Sequence, residues 1–390
     1  MSNTDTITAN VVLTSSNAGL TNSGTVDGSL TNDGGTVTNY VVSGLTTTNG
    51  EIKGNIVNTS GTISTNAGKI ATGDTSTIQN DGTLSLTGGS ISKAITNYST
   101  STSAVKAVEI AGDVTLASTG SISGNAIKLT NGTFDVTSKA DTSGNIDFTT
   151  GNLGTKLVAG NGTLNVQDNK TGTITLGTVD LASSNLKVAI DADLTGGTTD
   201  ARGIVGQADK IYVTSVTPTT PTNKINISNI KLNTTNEPAG TEFKVFVASN
   251  DTAKGLLDFT GTTVSSYKTG ADNILLDYNS TDGYLTGRHS TITDAVESTI
   301  NTKMFYMDNG TADADLAITG PLTLGGTSLS ISGNNHSITS TTASLNGITV
   351  NTVGQSLKIS DATLGSLTNG FGTAINNAVG GKVELATVTT

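Results

Sequence analysis

The sequence predicts an all-β solenoid, in which short strands stack in successive turns of the chain. Its composition suits a thin core, because the 390 residues include only 34% hydrophobic and 4% aromatic side chains and no tryptophan. A phrase of Asn, Gly, Thr and an aliphatic residue recurs between Asn22 and Ile174. This repetition predicts solenoid turns of two or three strands each. Alternate copies often lie about 20 to 26 residues apart, as in Val26 to Ile52, Ile63 to Leu84 and Val114 to Phe134.

Each copy of the phrase reads as a turn followed by the first half of a short strand. Asn and Gly tolerate positive φ, and the residues after them are often β-branched and alternate in polarity. The alternation predicts that aliphatic side chains enter a core while hydroxyl side chains face water. The copies are Asn22 to Val26, Asn58 to Ile63, Asn66 to Ile70, Asn80 to Leu84, Asn131 to Phe134, Asn161 to Leu164 and Thr171 to Ile174.

Charge and residue content argue against several functional classes. The formal net charge is −11 and the only arginines are Arg202 and Arg288, so no clustered basic stripe is available for nucleic acid. The absence of cysteine excludes disulfides, Cys-ligated zinc and thiol catalysis. The start, Met1 to Ile7, lacks the basic and apolar regions of a signal peptide, and no apolar run has the length of a membrane helix.

The chain divides into four predicted segments. Residues 1–185 carry the repeated phrase and form a first stack. Residues 186–288 contain longer strands and half of the aromatic residues of the chain, which predicts wider solenoid turns or a sandwich-like elaboration. Residues 289–310 form a short helix and a connector. Residues 311–390 form a second stack, predicted to be truncated because its pattern still runs at Val383 to Leu385.

The one predicted helix extends from Thr291 to Met304. Thr291 and Asp294 have capping-box spacing, and the aliphatic residues that follow share one helical face. A helix at this position can lie across the open end of a β stack and shield its edge. The predicted stripe consists of Ile292, Val296, Ile300 and Met304.

Several stretches resemble the passenger domains of bacterial autotransporters. The run Ser290 to Met307 is similar to the helix-and-entry element of these domains, and Gly372 to Gly380 resembles a recurring strand phrase in them. The resemblance is closest over about the last hundred residues. Other similar stretches are Ala208 to Val213, Leu329 to Ile338, Asn346 to Val350 and Gly354 to Ile359.

The resemblance implies a right-handed parallel β-helix that is exported and displayed on a Gram-negative surface. Within the family, a signal peptide and a C-terminal β-barrel accompany the passenger, and neither pattern occurs in this sequence, which closes with Thr387-Val-Thr-Thr390. The expected location is therefore extracellular, at the bacterial cell surface. Host or bacterial surface glycans or proteins are the expected partners of a monomeric chain.

Carboxylate pairs are the first candidates for chemistry. Asp191 and Asp193 are predicted to share the polar face of a strand at about 7 Å, within the separation used by inverting glycosidases. A solvated face that leads into a turn explains the same pattern and is the favoured interpretation. Asp294 and Glu297 are interpreted as acids of a first helical turn, where the helix dipole favours them.

Other reactive groups are sparse. His289 and His336 are the only histidines and stand apart, so no His-rich zinc motif is formed. Serine is abundant, but no Gly-x-Ser-x-Gly elbow has a base nearby. Asp- and Asn-rich turns are compatible with calcium, although neither the EF-hand loop nor the Gly-Gly-x-Gly-x-Asp repeat occurs. Aromatic residues between 243 and 284 are interpreted as a local core, with sugar stacking as the functional alternative.

These observations predict a non-catalytic stalk or adhesin, without cofactor, metal site or catalytic residues. One alternative is a β-helical polysaccharide-active enzyme or phage tailspike, which needs converging carboxylates or a cation-lined groove. Another is a self-assembling surface-layer or fibre subunit, which predicts regular assemblies where the passenger predicts monomers.

Overall fold

The computed structural model describes residues 1–43, 46–97, 107–124, 126–150, 153–199, 204–233, 243–265, 274–289, 292–297, 302–307, 316–365 and 370–390. The chain is mostly β-structure, with parallel pairing in most sheets, which confirms the all-β class. It forms two compact units. The first comprises Met1–Asp191, Asp209–Asn229 and Ala248–Gly261, and the second Ala192–Ala208, Ile230–Val247 and Thr262–Thr390.

The first unit contains four groups of parallel strands, here sheets A to D. Sheet A contains Ser2–Asn3, Gly19–Asn22, Thr36–Thr38, Thr62–Thr65, Thr83–Leu86, Val108–Ile110, Ala126–Leu129, Ile146–Asp147, Lys156–Val158, Thr173–Asp180 and Lys210–Thr217. Sheet B contains Thr6–Ile7, Thr25–Val26 and Glu51–Ile52. Sheet C contains Val11–Leu13, Leu30–Asn32, Ile56–Asn58, Ile78–Asn80, Ala94–Asn97 and Ser121–Ser123. Sheet D contains Gly89–Ile91, Val114–Leu116, Thr133–Asp135, Thr163–Asn165, the start of Leu186–Thr199, the start of Ile225–Asn233, and Leu257–Asp258.

The chain visits these sheets in rotation, and short turns join them. Ser2–Asn3 of sheet A is followed by Thr6–Ile7 of sheet B and Val11–Leu13 of sheet C, before Gly19–Asn22 returns to sheet A. Consecutive layers touch closely at the turns, because a Cβ on Gly24 would lie 2.0 Å from the Asp5 carbonyl oxygen. Glycine is therefore required there for its missing side chain.

Residues separated by the repeat spacing are strand partners. Val26 is the register partner of Ile52, Ile63 of Leu84 and Val114 of Phe134. All six side chains are buried, at 1% exposure or less. Each contributes about 1.5–3 kcal/mol by leaving water. The two-residue alternation therefore sets which side of each strand enters the core.

Among the described residues of the first unit, three short helices and one hairpin interrupt the parallel strands. Two are 3₁₀ turns, Ala67–Lys69 and Thr137–Lys139. The third is the α-helix Asp251–Leu256, which begins after Asn250, whose side chain accepts a hydrogen bond from Ala253 N at 3.0 Å. The hairpin pairs Tyr40–Ser43 with Thr46–Asn49 in antiparallel register.

The second unit contains an antiparallel group and two parallel groups. In the antiparallel group the end of Leu186–Thr199 pairs with Ile204–Ala208, and Tyr284–His289 pairs with both Phe243–Phe246 and Ile274–Asn279. Thr263–Ser265 is a further strand of this unit. One parallel group contains Thr302–Tyr306, Leu316–Ile318, Ser328–Ser340, Ser356–Leu364 and Lys382–Thr389, and the other Leu322–Thr323, Asn346–Val350 and Thr373–Asn377. The predicted segment 186–288 thus contributes residues to both units.

The predicted helix is shorter than its sequence pattern. It extends over Ile292–Glu297, and Met304 lies in the strand Thr302–Tyr306. That strand pairs in parallel with Ser328–Ser340 and buries Phe305 in the core of the second unit, so sheet pairing overrides the helical period. Thr291 and Ile300 lie outside the described residues. The apolar face of the helix joins the same core through Ile292, Ala295 and Val296.

Residues in the left-handed region turn the chain at one corner of the second unit. Asn335, Asp361 and Thr387 have φ values of 67°, 51° and 57°. Each lies between matched strand positions, since Ser332, Ser360 and Ala386 pair before the corner and His336, Ala362 and Val388 after it. Asn and Asp tolerate this conformation, whereas a β-branched residue is strained in it.

Replacing Thr387 with glycine is therefore expected to stabilise the second unit by about 0.5–1 kcal/mol. Glycine adopts positive φ without a Cβ clash, and this gain exceeds its greater freedom in the unfolded chain. Urea unfolding of the full chain would measure the change. Thr389→Gly, in the same strand but with ordinary φ, should instead destabilise; a loss of stability in Thr387→Gly would contradict the corner assignment.

Candidate functional site

The predicted Asp191 and Asp193 pair does not form a solvated face. Asp191 is fully buried, and its Oδ2 accepts a hydrogen bond from Asn169 N at 2.6 Å. Asp193 is half-buried, and its Oδ1 accepts from Thr195 N at 2.7 Å. The expectation of solvent exposure was wrong for Asp191, because its carboxyl holds a neighbouring turn of backbone instead of facing water.

Asp209 is the carboxyl that the fold brings to Asp191. It is also fully buried, and its two oxygens accept from Gly172 N at 2.9 Å and from Asp191 N at 2.8 Å. Asp209 N in turn donates to the Asp191 carbonyl oxygen at 2.9 Å. Two carboxyls that lie 18 residues apart in sequence therefore fix three backbone amides at one place in the first unit.

Burial raises the pKa of Asp209 to about 8. Its hydrogen bonds from Asp191 N and Gly172 N favour the charged carboxylate, and the charges of Asp191 and Asp168 oppose it. Because neither Asp191 nor Asp209 has exposed surface, these carboxyls cannot touch a substrate in this conformation. The two carboxyls therefore hold the backbone amides of Asn169, Gly172 and Asp191 in place. Because the pKa of Asp209 is raised, the stability of the folded chain can depend on pH.

The remaining titratable candidates belong to one helix and two separate strands. Glu297 is exposed at the end of its helix, and Asp294 lies inside the helix. His289 ends a strand, whereas half-buried His336 lies within a strand opposite Ala362. Within the described ranges, no group of three or more His, Asp or Glu side chains is arranged to hold a metal ion.

The aromatic residues between 243 and 284 are divided between the two units. Phe259 is buried in the first unit, and Phe243 in the second. Half-buried Phe246 packs against Tyr284 with ring centroids 5.2 Å apart, and Lys244 Nζ lies 4.4 Å from the Tyr284 ring centroid. Tyr267 lies outside the described residues. These contacts give the aromatic side chains local packing roles and form no continuous sugar-stacking platform among the residues described.

Stacked asparagines form the most regular polar feature of the first unit. At the end of sheet A, Asn3 Nδ2 donates to Asn22 Oδ1 at 2.7 Å, and Asn22 Nδ2 donates to Asn39 Oδ1 at 2.6 Å. Asn39 Nδ2 then donates to Thr65 Oγ1 at 3.0 Å. All of these side chains are buried, so the ladder satisfies amides that would otherwise be costly to remove from water.

A second ladder follows the end of sheet C. Asn32 Nδ2 donates to Asn58 Oδ1 at 3.0 Å, Asn58 Nδ2 to Asn80 Oδ1 at 2.7 Å, and Asn80 Nδ2 to Asn97 Oδ1 at 3.0 Å. The repeated phrase predicts Asn58 and Asn80 to be positive-φ turn residues. The structure corrects this, because both end strands and neither has positive φ. The recurrence of asparagine shortly before glycine was the sequence signal for the ladder. That signal indicated a turn and gave no indication that the amide side chains stack.

Replacing Asn58 with alanine is expected to destabilise the first unit by about 2–4 kcal/mol. The change removes a buried amide and leaves the side chains of Asn32 and Asn80 without their ladder partner. Asn17→Ala, at an exposed turn, is the matched control and should cost less than about 0.5 kcal/mol. Thermal unfolding followed by circular dichroism compares the two. Equal midpoints would show that the ladder does not stabilise the unit.

Hydroxyl side chains cover the outer surface of sheet A over three consecutive strands. Thr36 and Thr62 are exposed and Thr83 is half-buried, and the three are register partners. A second column, two residues further along each strand, contains Thr38, Ser64 and Ser85. Neighbouring strands are about 4.8 Å apart. These two columns carry no charged side chain and present polar groups at regular spacing.

Comparison with known proteins returned no match to this chain among protein families, curated proteins or solved structures. In the part of the chain that the structure describes, no helix combines the length and apolar character needed to cross a bilayer.

Proposed function

We propose that this chain is a surface-displayed passenger segment of the autotransporter type, with a structural stalk or adhesin function and no catalysis. Sheets A to D, which the chain visits in rotation, are the faces of a right-handed parallel β-helix in this proposal. Parallel crossover connections are right-handed in nearly all proteins, which supports the hand. The sequence resemblance over the last hundred residues supports the family.

One observation carries the functional part of the proposal. The parallel layers repeat their inward aliphatic side chains and leave neutral hydroxyl columns, such as Thr36 and Thr62, on the outer surface. A repeated surface of this kind offers many weak polar contacts at regular spacing, and multivalent display on a cell raises their combined strength. The ligands proposed are host or bacterial surface glycans or proteins, in the extracellular space.

Binding to an array of surface glycans and to whole cells tests this function. We expect the purified chain to bind one or more of them, and the double variant Thr36→Lys and Thr62→Lys to bind less without a change in its circular dichroism spectrum. Absence of binding to all glycans and cells would contradict the adhesin role.

A screen for reducing ends released from acidic polysaccharides tests the alternative, that the chain is an enzyme. Turnover that is lost in Asp191→Asn while folding is retained would overturn the non-catalytic proposal. Small-angle scattering is the separate test of the architecture, since a β-helix predicts an elongated particle and a compact particle would contradict it.

A further inference from the structure

The hairpin formed by Tyr40–Ser43 and Thr46–Asn49 is an insertion into a turn that the preceding layer makes with one residue. In the preceding layer the turn is Asn22-Ser23-Gly24, and Asn22 Nδ2 donates to the Gly24 carbonyl oxygen at 3.2 Å. In the hairpin layer Asn39 Nδ2 donates to the Gly50 carbonyl oxygen at 2.9 Å. The two turns are therefore closed by equivalent residues, here called anchors: Asn22 and Gly24 in one layer, Asn39 and Gly50 in the next. In sequence, Tyr40 to Asn49 takes the place of the single residue Ser23.

The anchors stack directly on one another. Asn22 Nδ2 reaches Asn39 Oδ1 at 2.6 Å, and the residue after Gly50, Glu51, is the register partner of Thr25. Gly50 N also donates to the Asn39 carbonyl oxygen at 3.0 Å, which closes the base of the hairpin. The asparagine ladder and the strand register both continue across Asn39 and Gly50. The inserted residues between them are therefore not needed for the layers to stack.

The hairpin itself has little to stabilise it. Val42 is 59% exposed, and Ser43, Thr46, Thr47 and Thr48 are exposed as well. Among the described residues the two strands pair with each other and with no further strand. An isolated two-stranded hairpin is only marginally stable in water, and its unpaired edge is a template for another strand.

The charge distribution indicates which partner fits this edge. No Asp, Glu, Lys or Arg occurs between Asp33 and Glu51, whereas the whole chain carries a formal net charge of −11. Edges that must stay single are usually protected by charged residues, and this edge is not. Two acidic copies of one chain repel each other over most of their surfaces, so a neutral segment such as this one favours a contact between copies.

We propose that the hairpin is a self-association element, which pairs with the same hairpin of a second copy. Tyr40–Ser43 lies beside Gly19–Asn22, so Thr46–Asn49 provides the outer edge. Antiparallel pairing of this edge with its copy makes a two-fold symmetric, four-stranded sheet. The contact is small, so the chain remains monomeric in dilute solution and associates where copies are concentrated on a surface.

Sedimentation velocity over a wide range of protein concentration tests the proposal with the full chain. Wild type should show a concentration-dependent dimer. A variant in which one serine replaces Tyr40 to Asn49 copies the turn of the preceding layer, and it should stay monomeric with an unchanged circular dichroism spectrum. A wild-type chain that is monomeric at every concentration, or a hairpin-less variant that associates equally, would overturn the proposal.

Charge variants at exposed Thr47 keep the test valid if the shortened chain fails to fold. Thr47→Lys and Thr47→Glu should each weaken self-association about fivefold or more, and their mixture should restore it through opposite charges. Thr62→Lys, on the outer surface of sheet A, is the control for net charge and should leave association unchanged. Equal association of the separate and mixed Thr47 variants would contradict pairing at this edge.

Discussion

Replacing Ile63 with aspartate is expected to destabilise the first unit by more than about 4 kcal/mol. Ile63 is completely buried between its register partners Val37 and Leu84. A carboxylate in that column has no cation or amide donor provided for it, so it must either stay charged in an apolar core or take up a proton. Because each strand is held by its neighbours in the sheet, we expect the loss of structure to extend beyond one layer.

Urea unfolding and hydrogen exchange measure the two parts of this prediction. The denaturation midpoint reports the lost free energy, and exchange shows how many layers open. Thr62→Asp is the matched control, because Thr62 is the adjacent residue and is exposed on the outer surface. It should cost less than about 1 kcal/mol. Similar midpoints for the two variants would show that the inward and outward assignments are incorrect.

The second large effect is a dependence of stability on pH that originates at Asp209. Its pKa is about 8 in the folded chain, against an ordinary value of 3.8. Between these values the folded state binds a proton that the unfolded state lacks. The stabilisation is therefore fully present below about pH 4 and is lost as pH rises through about 8. The slope is at most about −1.4 kcal/mol per pH unit in this window.

Urea midpoints recorded at several values between about pH 5 and about pH 8 test this sign. The first unit should become less stable as pH rises, and Asp209→Asn should remove the slope. The asparagine variant is also expected to be less stable at every pH. In wild type each Asp209 oxygen accepts a hydrogen bond from a backbone N–H, and the NH2 group of asparagine cannot accept one of these two bonds. The slope is thus the informative quantity. A wild-type stability that is constant or rises over this range would refute the assignment.

The features of the fold that were predictable from sequence are those fixed by local alternation. Ile63 and Leu84 could be matched as partners because each follows a Gly-Thr pair in its own copy of the repeated phrase. The length of the helix predicted from Thr291 to Met304 was overestimated, because local alternation does not show long-range strand pairing. Its 3.6-residue pattern was local, and the pairing of Met304 with Ser330 depended on residues much further along the chain.

The candidate site was less predictable because it depends on stacking between layers. Asp191 was recognised as a candidate, but no pattern in the sequence indicates that Asp209 returns to it after an excursion of 17 residues, Ala192–Ala208, in the other unit. The asparagine ladders were hidden similarly. Each asparagine has a local interpretation as a turn residue, and only the alignment of successive layers shows that one amide lies on the next.

The two asparagine ladders give the first unit a direction. In both, the Nδ2 of one asparagine donates to the Oδ1 of the asparagine in the next layer, from Asn3 to Asn39 and from Asn32 to Asn97. Aligned amide dipoles add along the column, as peptide dipoles do along an α-helix. Over the residues described, the second ladder leaves the Asn32 Oδ1 and the Asn97 Nδ2 buried without a hydrogen-bond partner, one at each end. The free-energy cost of these two unpartnered atoms does not grow with the number of layers. A longer column of asparagines therefore has a lower cost per layer, which favours long ladders over short ones.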